Sequence, residues 1–173
     1  TGFPITEQPT LALAADQATL YVGTSSSIPN HITRLSVITD TPQFLSENLI
    51  TTEAFVGGLC VLDDGRVATA RGQVWSADLS DLTATLPASG SSIACVSVDD
   101  RIYIGGDSAI WAIDALNGHV VWRVGMSAVV NALEANAAGT VLFASTAQGI
   151  QRIGTDIRPR VYVAQVQNSK PGI

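Results

Sequence analysis

Lysine is almost missing from this chain: Lys170 is the only one among 173 residues, and the eight arginines are scattered along the sequence. Binding nucleic acid by counterion release needs a clustered basic face, so that class of partner is excluded. The net charge of −6 argues equally against an anionic lipid surface. Long apolar runs are missing too. The longest charge-free apolar stretches, such as Ala54 to Leu62, fall well below the roughly 20 residues that cross a bilayer as a helix, so no membrane span is expected. The opening Thr1-Gly2-Phe3-Pro4 has neither a basic start nor an apolar core, and any targeting segment is expected to be already absent. Cysteine is limited to Cys60 and Cys95, too few for a disulfide framework or a Cys-x-x-Cys metal site. No phosphate-binding glycine loop and no Gly-x-Ser-x-Gly elbow occurs.

What the chain does have is apolar residues, 46% of the total, against only 14% charged, where an average soluble domain carries roughly 25% charged. That much apolar sequence belongs either in stacked sheets or in an interface. Its pattern selects sheets. From Ser92 to Gly125, four short runs of alternating β-branched and aromatic residues are separated by Asp99-Asp100, Asp107-Ser108 and Asn117-Gly118, which reads as a four-stranded antiparallel meander. The unit recurs along the chain. Gly58 to Ala70 matches Ile93 to Gly105 with Cys60 on Cys95, and Gln73 to Asp78 matches Ala109 to Asp114 with Trp75 on Trp111. Taking Leu20, Val67, Ile102 and Val141 as equivalent, the spacings are 47, 35 and 39 residues, the period of propeller blades. The expected fold is all-β, a single domain over 1–173. It is a β-propeller of about four four-stranded antiparallel blades, near 10–52, 56–90, 91–127 and 128–167, either four-bladed or part of a larger seven- or eight-bladed ring. Leu11 to Ala15 and Ala132 to Ala138 are rich in helix formers, but each stands where the repeat demands an innermost strand, and strands are expected there.

The stretch from Arg101 to Gly125 also resembles the PQQ-type repeat. The matching residues are Ile102-Tyr103-Ile104-Gly105, Trp111-Ala112-Ile113-Asp114-Ala115, Asn117-Gly118 and the closing-strand Trp122. The second blade matches in part, and the first and fourth match in strand order. The resemblance implies either of two roles, quinone-dependent dehydrogenase or cofactor-free scaffold that binds other proteins. The dehydrogenases of that family carry neighbouring cysteines over the quinone, whereas Cys60 and Cys95 lie a blade apart, so no catalytic residue and no cofactor is carried over. The expectation is a non-catalytic interaction or scaffolding module rather than an enzyme. A part of a larger quinoprotein-like oxidoreductase and a carbohydrate-binding propeller are the alternatives. Family habit and the scarcity of lysine point to an extracytoplasmic location.

Residue by residue, structural roles are expected to dominate. Asp63-Asp64 and Asp99-Asp100 sit at one turn of the repeat, where aspartate caps backbone N–H groups. His31 and His119 lie on different blades without a second ligand at metal spacing, so no metal site is expected. Trp75, Trp111 and Trp122 are expected to pack between blades. Recognition is expected on the loops between the second and third strands, which reach one face of the disc and carry Ser25, Ser26, His31, Arg71, Asp107 and Gln148. Their mixed polarity suits a protein partner. Cys60 and Cys95, taken as equivalent positions of neighbouring blades, are expected as buried free thiols. Gly118, in an Asn-Gly turn, is expected to be more demanding than Gly139 in a looser connection. The apolar surplus points to blades missing from a closed ring, supplied by a second copy or by further polypeptide.

Overall fold

The computed structural model describes residues 9–24, 30–50, 58–97, 99–155 and 164–165. They form four antiparallel sheets of four strands in simple meander order, arranged as four propeller blades. Blade 1 contains β1 (Thr10–Leu13), β2 (Thr19–Thr24), β3 (Asn30–Ser36) and β4 (Gln43–Ile50). Blade 2 contains β5 (Leu59–Val61), β6 (Val67–Thr69), β7 (Gln73–Trp75) and β8 (Leu82–Thr85). Blade 3 contains β9 (Ser92–Val96), β10 (Arg101–Gly105), β11 (Ala109–Asp114) and β12 (Val120–Gly125). Blade 4 contains β13 (Val130–Ala135), β14 (Val141–Thr146), β15 (Gly149–Gly154) and β16 (Ala164–Gln165). No helix occurs among the described residues, so the helix-forming composition of β1 and β13 is overridden by pairing with β2 and β14.

The first strands are innermost. β5 lies against both β1 and β9, and β9 lies against β13, while among the described residues no comparable contact joins β13 back to β1. Each strand alternates between a front face, toward the preceding blade, and a back face, toward the following one. Three apolar clusters fill the spaces between successive blades. Tyr21 and Ile32 from the back of blade 1 meet Leu59, Val67 and Leu79 of blade 2. Ala68, Val74 and Leu86 of blade 2 meet Ile93, Ile102, Ile104 and Ile113 of blade 3. Ala94, Tyr103, Ile110 and Ala112 of blade 3 meet Val130, Leu133, Leu142 and Ala144 of blade 4. Strands in the middle of the arc therefore bury both faces, which is why β10 reads as an unbroken apolar run rather than an alternation. The tryptophans follow the same division. Trp75 packs between blades 1 and 2, Trp111 between blades 2 and 3, and Trp122 between blades 3 and 4, where its ring lies 5.7 Å from that of Tyr103.

Strand pairing revises several equivalences. Val67 pairs with Val61 and Ile102 with Cys95, so Cys95 corresponds to Val61 and not to Cys60. The first turn of blade 3 is one residue longer than that of blade 2, and a slip of one residue moves a side chain to the opposite face. Cys60 consequently points from the back of blade 2 toward blade 3, and Cys95 faces it from the front of blade 3. They form a disulfide with Cα atoms 5.6 Å apart, not two free thiols. The spacing of about 10 Å between packed sheets does not hold for innermost strands converging on the axis. By the same logic Trp75, which pairs with Val67, corresponds to Ile113, which pairs with Ile102, and lies two positions from Trp111. In blade 4, Leu142 rather than Val141 occupies the position of Ile102, because Leu142 is the residue turned into the core.

The turns between first and second strands share a construction. Gly65, Asp100 and Gly139 each donate their N–H to the carbonyl three residues earlier and take positive φ, +85°, +48° and +67°. Aspartate caps them as expected in blade 2, where Asp64 Oδ1 accepts the Arg66 N–H at 3.0 Å. Gly139 is not in a loose connection, however. A Cβ there would collide with Val96 Cγ1 of blade 3, whereas at Gly118, φ +73°, the nearest atom would be Leu86 Cδ2 at 3.9 Å. The β7–β8 turn ties blades 1 and 2 together: Ser46 Oγ and Asn48 Nδ2 donate to the carbonyls of Asp78 and Leu79 at 2.8 and 2.7 Å. Within that turn Asp78 Oδ1 accepts the Ser76 hydroxyl at 2.7 Å, the Ser80 N–H at 3.1 Å and the Ser80 hydroxyl at 2.8 Å.

Two outcomes follow for solution measurements. Gly139→Ala combines backbone strain with a steric conflict and is expected to lower Tm by about 4–8 °C, against about 2–4 °C for Gly118→Ala, which carries strain alone. Equal melting temperatures would contradict the contact with Val96. The hydrogen bonds to Asp78, led by that from Ser76, hold its carboxyl at about 2, below the ordinary 3.8. A depressed carboxylate stabilises the fold above the unfolded value, and this contribution fades as pH falls from about 3.8 through about 2. An NMR titration should place the Asp78 midpoint near the lower value in the parent and higher in Ser76→Ala; an ordinary midpoint in the parent would refute the turn geometry.

Candidate binding faces

The turns between second and third strands reach one end of the blades, where the connections from one blade to the next also run. These two sets of loops are laced together by backbone hydrogen bonds. In blade 2, Gly72 N donates to Thr69 O at 2.9 Å and Leu86 N to Gly72 O at 2.6 Å, with Gly90 N to Ala70 O at 2.7 Å. In blade 3, Ser91 N donates to Gly105 O, Met126 N to Ser108 O and Val130 N to Gly106 O. The Ser91 and Ser92 hydroxyls both donate to Val130 O, at 2.8 and 3.1 Å. In blade 4, the Thr146 hydroxyl donates to Gly149 O and accepts the Gln148 N–H, both at 3.1 Å. A rim built this way holds its loops through backbone groups and short hydroxyl side chains.

The residues singled out from sequence fall on this rim as follows. Arg71 sits in the β6–β7 turn, half-buried, and its Nε has no hydrogen-bond partner among the described residues. Asp107 occupies the β10–β11 turn and is exposed. Gln148, in the β14–β15 turn, is exposed and accepts the Ser127 hydroxyl at 2.9 Å. His31 is the second residue of β3 in blade 1; its Nδ1 is 3.3 Å from Glu47 Oε1, close enough for an ion pair when protonated but outside hydrogen-bonding geometry. Ser25 and Ser26 lie outside the described residues. The topology thus gathers Arg71, Asp107, Gln148 and His31 at one end of four successive blades.

A cleft away from this rim was not legible in the sequence. A cleft of about 560 Å³ opens between the outermost strand of blade 2 and the β11–β12 turn of blade 3, lined by Arg66, Thr83, Leu86, Asn117, Gly118 and His119 among others. Its walls are held by Arg66, which donates from Nη2 to Ala115 O at 3.2 Å while its Nε lies 2.6 Å from Asp64 Oδ2. The turn is fixed by Asp114, whose Oδ1 accepts the N–H groups of Leu116 and Asn117 at 2.9 and 3.2 Å. Those N–H groups, with Arg101 at 3.1 Å, keep the Asp114 carboxyl below its ordinary range. The contributing residues lie on separate blades, which is why no local motif announces the cleft. Among the described residues no group of three or more His, Cys, Asp or Glu could hold a metal ion, and no helix is long and apolar enough to cross a membrane.

No protein-family model and no curated protein matches the chain. Solved structures do. A functionally unknown protein from Desulfotomaculum acetoxidans superimposes with a TM-score of 0.71 at 12% identity, over 91% of this chain and 55% of that one. Kuenenia stuttgartiensis hydrazine synthase superimposes with a TM-score of 0.66 at 17% identity, over 89% of this chain and 49% of that one. The likeness is one of fold, a β-propeller, and this chain spans about half the length of each of these two solved chains.

Proposed function

We propose that the chain is a non-catalytic interaction module that offers its hydrogen-bonded rim to a protein partner. The observation that carries this reading is the rim itself. Consecutive blades place Arg71, Asp107 and Gln148 on turns tied to the neighbouring connections, through backbone hydrogen bonds in blades 2 and 3 and through the Ser127 hydroxyl in blade 4, so an array of cation, anion and amide is presented with little freedom to lose on binding. A mixed array of this kind favours a polar protein surface over a small ion. The resemblance of blade 3 to the PQQ-type repeat supports the same role through the cofactor-free scaffolding members of that family. An extracytoplasmic location is part of the proposal. Its support is the Cys60–Cys95 disulfide between blades 2 and 3, because such bonds persist in oxidising compartments.

Cross-linking of the protein in its native source, followed by mass spectrometry, identifies the partner and the face it occupies. Cross-links are expected near the rim turns. With that partner purified, the combined change Arg71→Glu, Asp107→Lys and Gln148→Ala is expected to weaken binding at least about tenfold, about 1.4 kcal/mol, with Tm unchanged. Undiminished binding would refute the rim, and cross-links confined to the cleft between blades 2 and 3 would move the partner there.

A further inference from the structure

The arc of four blades ends in two sheet faces whose residues repeat those buried between its own blades. On the front of blade 1, Leu11 pairs with Val22 as Ile93 pairs with Ile104 and Leu133 with Ala144, and Leu59 stands at the same place in blade 2. The last three are 8%, 6% and 7% exposed because a preceding blade covers them, whereas Leu11 is 59% exposed. The back of blade 4 gives the complementary result. Ile150 pairs with Ser145 as Ile32 pairs with Gly23 and Ile110 with Gly105, so the three isoleucines are equivalent. Ile32 and Ile110 are fully buried by the following blade, and Ile150 is 59% exposed. Phe143, 40% exposed, likewise stands where Tyr21 and Tyr103 are buried. Arg152, opposite Phe143, stands where Arg34 lies opposite Tyr21. The back of blade 4 therefore reproduces Tyr21, Ile32 and Arg34 of the blade 1 back, the face on which blade 2 is already seated.

What sits on that blade 1 face is the front of blade 2, led by Leu59, Val67 and Trp75. The front of blade 1 carries exposed Leu11, half-buried Leu20 and buried Leu35 at the same three positions. Each end thus carries one half of an interface that the molecule already makes internally, and the missing half is present at its other end. We propose that a second copy of this chain supplies both: the back of blade 4 in one copy docks on the front of blade 1 in the other, twice, closing an eight-bladed ring with a two-fold axis through its centre.

Sedimentation velocity at micromolar concentration is expected to give one species of twice 18.0 kDa. Leu11→Arg and Phe143→Arg should each reduce it to 18.0 kDa, with unchanged circular dichroism, while Leu116→Arg, an exposed change in the β11–β12 turn of blade 3, should leave the pair intact. The decisive arm is a mixture of the two disrupted variants. Leu11→Arg keeps a sound blade 4 and Phe143→Arg a sound blade 1, so one head-to-tail interface can form and a mixed pair should reappear. A parent that remains monomeric, a pair indifferent to both substitutions, or open polymers in place of a closed pair would each overturn the proposal. If either variant loses its circular dichroism, hydroxyl-radical footprinting of the parent takes its place. Protection of Leu11 and Phe143 on raising concentration is then expected, and equal labelling at all concentrations would sink the idea.

Discussion

Everything in this fold depends on front-to-back packing of one sheet on the next. A four-stranded meander has two faces, and here both are apolar, so no blade can stand by itself in water. Each blade is completed by its neighbour. Ile102 and Ile104 of the central β10 reach zero exposure against blade 2, and Tyr103 between them reaches 1% against blade 4. The same demand explains the scarcity of charge: strands sandwiched on both sides have few positions to give to it, and most of the aspartates among the described residues lie in turns. Asp64, Asp78 and Asp114 all work in such turns, accepting backbone N–H groups that the strands do not use.

The repeat could be read because it is written locally. Alternation over four to six residues, broken by Asp-Asp, Asn-Gly and Asp-Ser, needs no knowledge of the tertiary structure, and the strand order followed from it in all four blades. Register between blades is a different kind of information. Cys60 and Cys95 align perfectly by eye, yet a turn longer by one residue puts them on opposite faces of their sheets and therefore into contact. Trp75 and Trp111 look equivalent for the same reason and are not. Gly139 gave no sign of its difficulty, since the obstruction is Val96, 43 positions earlier on another blade. The cleft beside β8 was hidden likewise, being assembled from two blades that share no motif there.

The rim and the packing are linked. The connections that carry the chain from one blade to the next are also what pin the loops bearing Arg71, Asp107 and Gln148, so the spacing of that array is set by how closely the blades stack. A change between blades is transmitted to the rim through bonds such as Gly90 N to Ala70 O and Val130 N to Gly106 O. The disulfide between β5 and β9 fixes this stacking at the innermost strands, where blades 2 and 3 converge.

That bond offers the most direct check on the central claim, that successive blades meet back to front in the register described. Peptide mapping of the unreduced protein by mass spectrometry should recover a single peptide pair joined through Cys60 and Cys95, with no alkylatable thiol after denaturation. Two free thiols in protein kept from reductants would mean that Cys60 and Cys95 do not face each other, and that the register between blades 2 and 3 is wrong.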